Sequence, residues 1–455
     1  MSSLPATAIA PAAPVTPPPT SPWLSPQKLF HWLPESLQGP ISALHNAAGL
    51  DVYSAATTTL FSLVAWAGGN LRIGGLHGSC RQGHGKLILG LPATVSATRV
   101  HEIIKSWLAP REEFVVAKLV GDAEYDDMLR PRFGPNKAPK LARYLATILT
   151  QLDPPTLEAV VQLRAPDLLV LLPHHLWIEA FARDRSRKID RHHRRIRQLI
   201  TDTALLMDDT KPEEPPIFKN TRVSLITTVD TPELINLARN KDILVRNVMH
   251  PALKFCAPGR AIDAPLLPQS KASLWKWPPV LETASKIRAG KLYPLELSPE
   301  TEPYFQKWEE ELRAKLHALP REEALCVGSI IDVPYLLYAG LCLARLTTSR
   351  ADCAEQSVHL AHWVLERTLD LHRRVTTEAE QADLAAHAER LFARIKKGAI
   401  SHRQLMRAQT CQVTAYHAPA LQLLQQAGRI GVDAQQRYYV IPPPTAQVVP
   451  FHENT

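Results

Sequence analysis

Three runs along the chain are almost unbroken in apolar character: Lys86 to Pro92 (KLILGLP), Asp167 to Pro173 (DLLVLLP) and Arg222 to Val229 (RVSLITTV). Runs of this length and pattern predict strands covered on both faces, as in the middle of a parallel sheet. Helical patterns lie between them. Ser96 to Leu108 follows the first run directly, and Thr231 to Arg239 follows the third, with Thr231 as N-cap and Pro232 at the first helical position. The alternation predicts an α/β layer fold. Residues 23–75 read as a helical lead-in broken by Gly and Pro. After the proline-rich connection PLLPQSKASLWKWPPVLE, residues 298–375 carry apolar positions at three and four, the helical repeat.

The last eighty residues predict helix, short helix, helix and hairpin. Thr377 with Glu380 reads as a capping box opening one helix, and Ser401 with Gln404 as a second. A third helix over 415–427 stops at Gly428, and RIGV and RYYVI flank DAQQ as a β-hairpin. This order predicts a winged-helix-like domain over 376–455. With a Pro/Ala-rich tail over 1–22 and an α/β core over 76–297, five regions are expected.

Charge then narrows the partner. The chain has 52 Lys and Arg against 44 Asp and Glu, a net charge of +8, with a pI near 9.1. That balance favours an anionic partner, nucleic acid first. Six cysteines are scattered without a CxxC pair, as expected of reduced thiols in a cytoplasmic protein. The first residues lack the basic start and apolar run of an export signal. Val52 to Leu71 is free of charge, but Ser54, Thr57, Thr58, Thr59, Ser62 and Asn70 suit a buried helix better than a membrane span, so no membrane association is expected.

A phosphate loop needs a strand feeding a glycine-rich turn into a helix N-terminus, where backbone amides and one lysine meet the phosphates. That context exists after Lys86–Leu91. With Gly90 as the first glycine of GxxxxGK[ST], the second glycine is Val95, the lysine is Ser96 and the hydroxyl position is Ala97. Only the first glycine survives, with Ser96 and Thr98 as neighbouring hydroxyls. The glycines of GSCRQGHGK precede the strand and read as a hairpin turn. The magnesium side is equally altered: DLLVLL runs into Pro173, His174 and His175, none of them a hard-oxygen ligand. Glu179 lies further on, and the histidine pair reads better as a surface or core feature than as a metal site.

The segments SAATTTLFSLVAWAGGNLRIGG, LILGLPATVSATRVHEIIKSWLAP, TLEAVVQLRAPDLLVLLPHHLWIEAF, FKNTRVSLITTVDTPELINLA and KDILVRNVM, in this order, resemble a bacterial family of uncharacterised P-loop, primase/helicase-like proteins of prophages, plasmids and other mobile elements. The resemblance implies a P-loop NTPase-like core, RecA-like or AAA-like, flanked by helical segments. It also implies a polar sensor at Thr227 or Thr228 and an arginine finger at Arg246. Each of these three positions has a plain reading as well, structural for the threonines and solvated for the arginine.

The densest charge lies in ARDRSRKIDRHHRRIRQ, with Arg183, Arg185, Arg187, Lys188, Arg191, Arg194, Arg195 and Arg197. Phosphate binding and a solvated, self-paired segment are equally weighted readings. Trp275 and Trp277 read as pins of a linker in preference to a base-stacking platform. In the last domain Arg403, Gln404 and Arg407 are placed to approach a DNA backbone, with Gln412, Tyr416 and His417 opening the recognition helix. The expectation is a catalytically silent ATPase-like protein, with no cofactor beyond weak ATP binding at Gly90 and the helix N-terminus. Its expected partners are nucleic acid, DNA first, and an active partner ATPase or a second copy of itself. A divergent active ATPase using Lys86 or Glu179, and a sequence-specific DNA-binding regulator, are the alternatives.

Overall fold

A computed structural model describes residues 23–76, 79–83, 85–120, 148–149, 167–172, 222–239, 253–269, 271–290, 292–319, 324, 327, 330–407 and 417–442. The protein is mixed α/β. The chain divides into two compact units, residues 1–234 with 241–370, and residues 235–240 with 371–455.

The first unit opens with α1 (Pro26–Trp32), whose first turn is capped by the Ser25 hydroxyl. Helix α2 (Glu35–Ala43) runs into a π-turn over Leu44–Ala48, which Gly49 ends at φ 85°. Helix α3 (Val52–Ala67) follows, capped by Asp51, whose Oδ1 accepts the Ser54 amide at 2.9 Å. All 16 residues of α3 are buried. The uncharged stretch is therefore the centre of the unit, and Thr59 and Ser62 return their hydroxyls to the carbonyls of Ala55 and Thr58. Among the described residues no helix is long and apolar enough to cross a membrane.

Helix was expected to continue to residue 75. Gly68 instead turns the chain at φ 75°, and β1 (Gly68–Gly74) begins. Leu71 and Ile73 are buried while Arg72 between them is partly exposed, the period of two of a strand. Strand β1 pairs antiparallel with β2 (Cys80–Gly83) and parallel with β8 (Tyr293–Leu295). The glycine-rich segment before the first apolar run was expected as a hairpin turn; its Cys80–Gly83 instead form the second strand of a hairpin.

The second sheet is the parallel one. Its order is β4-β5-β6-β3-β7, from β3 (Lys86–Leu91), β4 (Ile148–Leu149), β5 (Asp167–Leu172), β6 (Arg222–Asp230) and β7 (Leu253–Cys256). The three apolar runs are β3, β5 and β6, adjacent as expected for strands covered on both faces. Every neighbouring pair is parallel, so all the carboxyl ends share one edge. Helices α4 (Ala97–Val120) and α5 (Thr231–Arg239) leave that edge after β3 and β6.

The proline-rich connection is largely helical, contrary to its reading as a linker. Helix α6 (Lys271–Arg288) contains Pro278 and Pro279. Prolines forfeit helical hydrogen bonds, but Trp277, Val280, Leu281, Ala284 and Ile287 bury one face, and this packing outweighs local propensity. The expected helical region follows as α7 (Glu302–Ala318), α8 (Val333–Arg345) and the start of α9 (Ala351–Ile395).

In the second unit, helix α9 runs unbroken past Thr377, so the capping box expected there does not form. A capping residue must leave helical geometry, whereas α9 continues through the β-branched Val375, Thr376 and Thr377 into the strong helix formers Glu378 and Ala379. After α9 come β9 (Ile400–Ser401), α10 (His402–Arg407), α11 (His417–Gln426), β10 (Ile430–Val432) and β11 (Arg437–Val440). Helix α11 ends as predicted at Gly428, φ 65°, where the amides of Gly428 and Arg429 return to the carbonyls of Gln425 and Leu424. Strands β10 and β11 form the expected antiparallel hairpin around Asp433–Gln436, and β11 also pairs with β9. Ala388, Leu391, Ile395, Leu405, Leu421, Leu424 and Ile430 make the core of this unit.

Candidate functional site

The turn between β3 and α4 stands at the carboxyl edge of the parallel sheet, where α/β proteins bind ligands. Pro92 starts it, and the Val95 amide closes it on the Pro92 carbonyl at 2.9 Å. The Val95 side chain is buried. The Ser96 amide then donates to the carbonyl of Ala48 at 3.1 Å, and the Ser96 hydroxyl accepts the Arg99 amide at 3.3 Å, capping α4. In a phosphate loop such amides point at the ligand. Here the amides of Val95, Ser96 and Arg99 are taken by the protein's own oxygens.

Two backbone segments pack against the turn, which leaves Ala93, Thr94 and Ser96 exposed. Residues 48–51 and 257–260 are joined by an isolated antiparallel bridge between Leu50 and Gly259, by the Arg260 amide on the Gly49 carbonyl at 2.7 Å, and by the Asp51 amide on the Pro258 carbonyl at 3.1 Å. Their glycines set the distance. A Cβ on Gly49 would stand 3.1 Å from the Thr94 carbonyl oxygen, and one on Gly259 only 2.6 Å from Thr94 Oγ1. Gly49 was legible only as a helix break, and nothing near Gly259 in the sequence pointed to the turn.

Gly90 lies inside β3, not in the turn. A Cβ there would come within 2.7 Å of Leu234 Cδ2 and 3.4 Å of Cys256 Sγ, so the glycine admits Leu234 against the sheet. Ser96 and Thr98 are exposed at the start of α4, Ser96 as its cap. Lys86 opens β3, about 16 Å of strand before Leu91. That distance, toward the opposite edge of the sheet, takes it out of reach of the turn as a substitute phosphate lysine.

Thr227 and Thr228 are both fully buried in β6, Thr228 opposite Leu89 of β3. The Thr228 hydroxyl meets His101 Nε2 at 2.9 Å. His101 comes from the second turn of α4, and burial pushes its pKa down to about 4, so the ring is neutral near pH 7. The sequence reading missed it, because one histidine in an amphipathic helix carries no signal of its partner. Asp51 is a second perturbed group beside the turn. Burial raises its carboxyl to about 6, against the opposing pull of its capping bonds and of Arg367. It serves as a helix cap, and among the described residues no group of three or more His, Cys, Asp or Glu is placed to hold a metal ion.

Arg246, Pro173, His174, His175 and Glu179 lie outside the described residues, as does the basic segment from Arg183 to Arg197. The tryptophans divide: Trp277 packs edge-on against Trp107 at 5.8 Å, the expected pin, while Trp275 is 81% exposed.

In the second unit the expected box at Ser401 forms. Gln404 Oε1 accepts the Ser401 amide at 2.9 Å, and the Ser401 hydroxyl accepts the Gln404 amide at 3.3 Å. Gln404 is therefore engaged in capping α10. Arg403 beside it is exposed, and Arg407 lies at the end of the same short helix. His417 is buried and faces the core, while Gln412 and Tyr416 lie outside the described residues. From Glu389 to Val440 the chain has eight Lys and Arg and only two carboxylates. Both carboxylates are held by arginines, Glu389 by Arg429 and Asp433 by Arg437 at 2.9 Å. Arg390, Arg394, Lys396, Lys397, Arg403 and Arg407 have no carboxylate of this segment left to neutralise them.

No protein-family model matches the chain, and no curated protein matches it significantly.

Proposed function

We propose that the protein is a catalytically silent relative of P-loop ATPases that binds nucleic acid, DNA in the first instance, in the replication, maintenance or transfer of a mobile element. The observation that carries the reading is the Ser96 amide on the Ala48 carbonyl. It is supported by a strand, turn and helix in the order a phosphate site uses, with the Val95 and Ser96 amides taken by protein oxygens beside two packed backbone segments. Phosphoryl transfer depends on cations and oriented amides around the phosphates. Val95, Ser96 and Ala97 offer neither the lysine nor the second glycine. The mobile-element setting rests on the family resemblance alone.

The nucleic-acid half is supported by the charge left over in the second unit, and by an element order, helix-strand-helix-helix-hairpin, compatible with a winged helix. In that reading Arg403 and the basic residues closing α9 meet phosphates, and Gln404 holds α10 in position. Binding to phosphates releases counterions and is therefore salt-dependent. The test is anisotropy of labelled duplex DNA on the full chain at about 50 and about 200 mM salt. Expected is a steep loss of affinity with salt, and a shallower salt slope when Lys396, Lys397 and Arg403 become glutamine. A second variant replaces the arginines between Arg183 and Arg197. Affinity indifferent to salt and to both sets would overturn the nucleic-acid half.

A further inference from the structure

His417, the first residue of α11, is 3% exposed, and neither of its ring nitrogens has a hydrogen-bond partner. A neutral imidazole carries one donor and one acceptor, so both polar edges are buried without compensation. Two further imidazoles stand against it. His387 from α9 lies edge-on with ring centroids 5.8 Å apart, and His402 from α10 lies edge-on at 5.5 Å. His402 in turn faces Tyr438 of β11 at 6.3 Å.

Asp383, four residues before His387 on α9, is exposed, and the other charged groups here among the described residues are basic or already engaged. Arg390 follows His387 along α9 and acts on it, and Arg403 follows His402 on α10. Glu389 is occupied by Arg429, and Asp433 by Arg437 of β11. Strands β9 and β10, made of Ile400, Ser401, Ile430, Gly431 and Val432, bring no titratable side chain. A proton on His417 would therefore place a buried cation beside two imidazoles with no carboxylate to pair with among the described residues, a costly arrangement.

We propose that His417, with His387 and His402, is a proton-operated latch: uncharged, it holds α9, α10 and α11 packed together, and once protonated it releases α11 and the hairpin behind it. The inference is independent of the nucleic-acid reading, because it concerns the packing of the second unit alone. The titration has the matching sign. Burial is the first cause lowering the pKa of both His417 and His387, and His402 and His387 lower that of His417 further. A depressed folded-state pKa contributes stability above the unfolded value of about 6.5, lost as pH falls below it.

Hydrogen-deuterium exchange of the full chain at about pH 7.5 and about pH 5.5, corrected for intrinsic exchange, tests this. Residues 417–440 should exchange about ten-fold or more faster at the lower pH, with α8 in the first unit unchanged. His417→Leu should abolish the difference while keeping 417–440 protected at both pH values. Should His417→Leu itself leave the unit unprotected at the higher pH, His417→Gln, a polar side chain that does not titrate, decides. It removes the protonated ring and should abolish the pH effect. Equal wild-type protection at both pH values, or an undiminished pH effect in the deciding variant, overturns the latch.

Discussion

The backbone amide of Ser96 donates to the carbonyl of Ala48, 48 positions earlier in the chain, at 3.1 Å. That bond turns the strand-loop-helix corner after β3 inward. Packed on one side by residues 48–51 and 257–260, the corner is part of the scaffold of the first unit.

If so, the glycines that permit this packing are structural. Gly49 is held at φ 85° with its α-carbon face toward the Thr94 carbonyl. Gly49→Ala should cost about 1–2 kcal/mol from the left-handed conformation alone, read as a lowered midpoint in urea unfolding. A neutral result would mean that this packing does not hold the turn.

Arg288 closes the other end of the buried helix that Asp51 opens. Its Nη1 donates to the Trp66 carbonyl at 2.9 Å, and its guanidinium lies over the Trp66 ring at 4.6 Å. Arg288→Met keeps the length but leaves carbonyls at the end of α3 without this donor. We expect a loss of about 2–3 kcal/mol in denaturant unfolding, the scale of a buried charge-assisted hydrogen bond. Unchanged stability would show that the cap is dispensable.

Asp51 and His101 should push the pH profile in opposite directions. The Asp51 pKa is raised to about 6, so its contribution to stability is full below its unfolded value and is lost as pH rises through about 6. Asp51→Asn keeps a capping oxygen and should stabilise the protein at about pH 7.5 by on the order of 2 kcal/mol, with no gain near pH 3. His101, depressed to about 4, contributes stability above its unfolded value, and this is lost as pH falls from about 6.5 toward 4. His101→Leu should flatten that acid limb. Melting temperatures of both variants across this range check the two signs, and parallel shifts at every pH would contradict them.

The strands β3, β5 and β6 were legible in the sequence because burial on both faces leaves an unbroken apolar run. Gly428 and the Ser401/Gln404 box were legible because a helix end needs particular side chains at fixed spacing. Thr377 with Glu380 has the same spacing yet sits inside α9, since the spacing also occurs by chance within a continuous helix. Pro278 and Pro279 misled for the converse reason: what holds α6 is packing against α2, α3 and α4, which no local pattern records. The packing against the turn, the His101–Thr228 contact and the His387, His402 and His417 cluster each join distant segments through single residues. A lone glycine or histidine does not name its partner.

In the proposed reading, the turn after β3 has the strand, turn and helix order of a phosphate loop without its chemistry. Titrating the full chain with a labelled ATP analogue and magnesium, alongside a phosphate-release assay, tests it most directly. Expected are no magnesium-dependent phosphate release and no saturable binding at the turn. Release that depends on magnesium and disappears when Thr94 or Ser96 is replaced would contradict it.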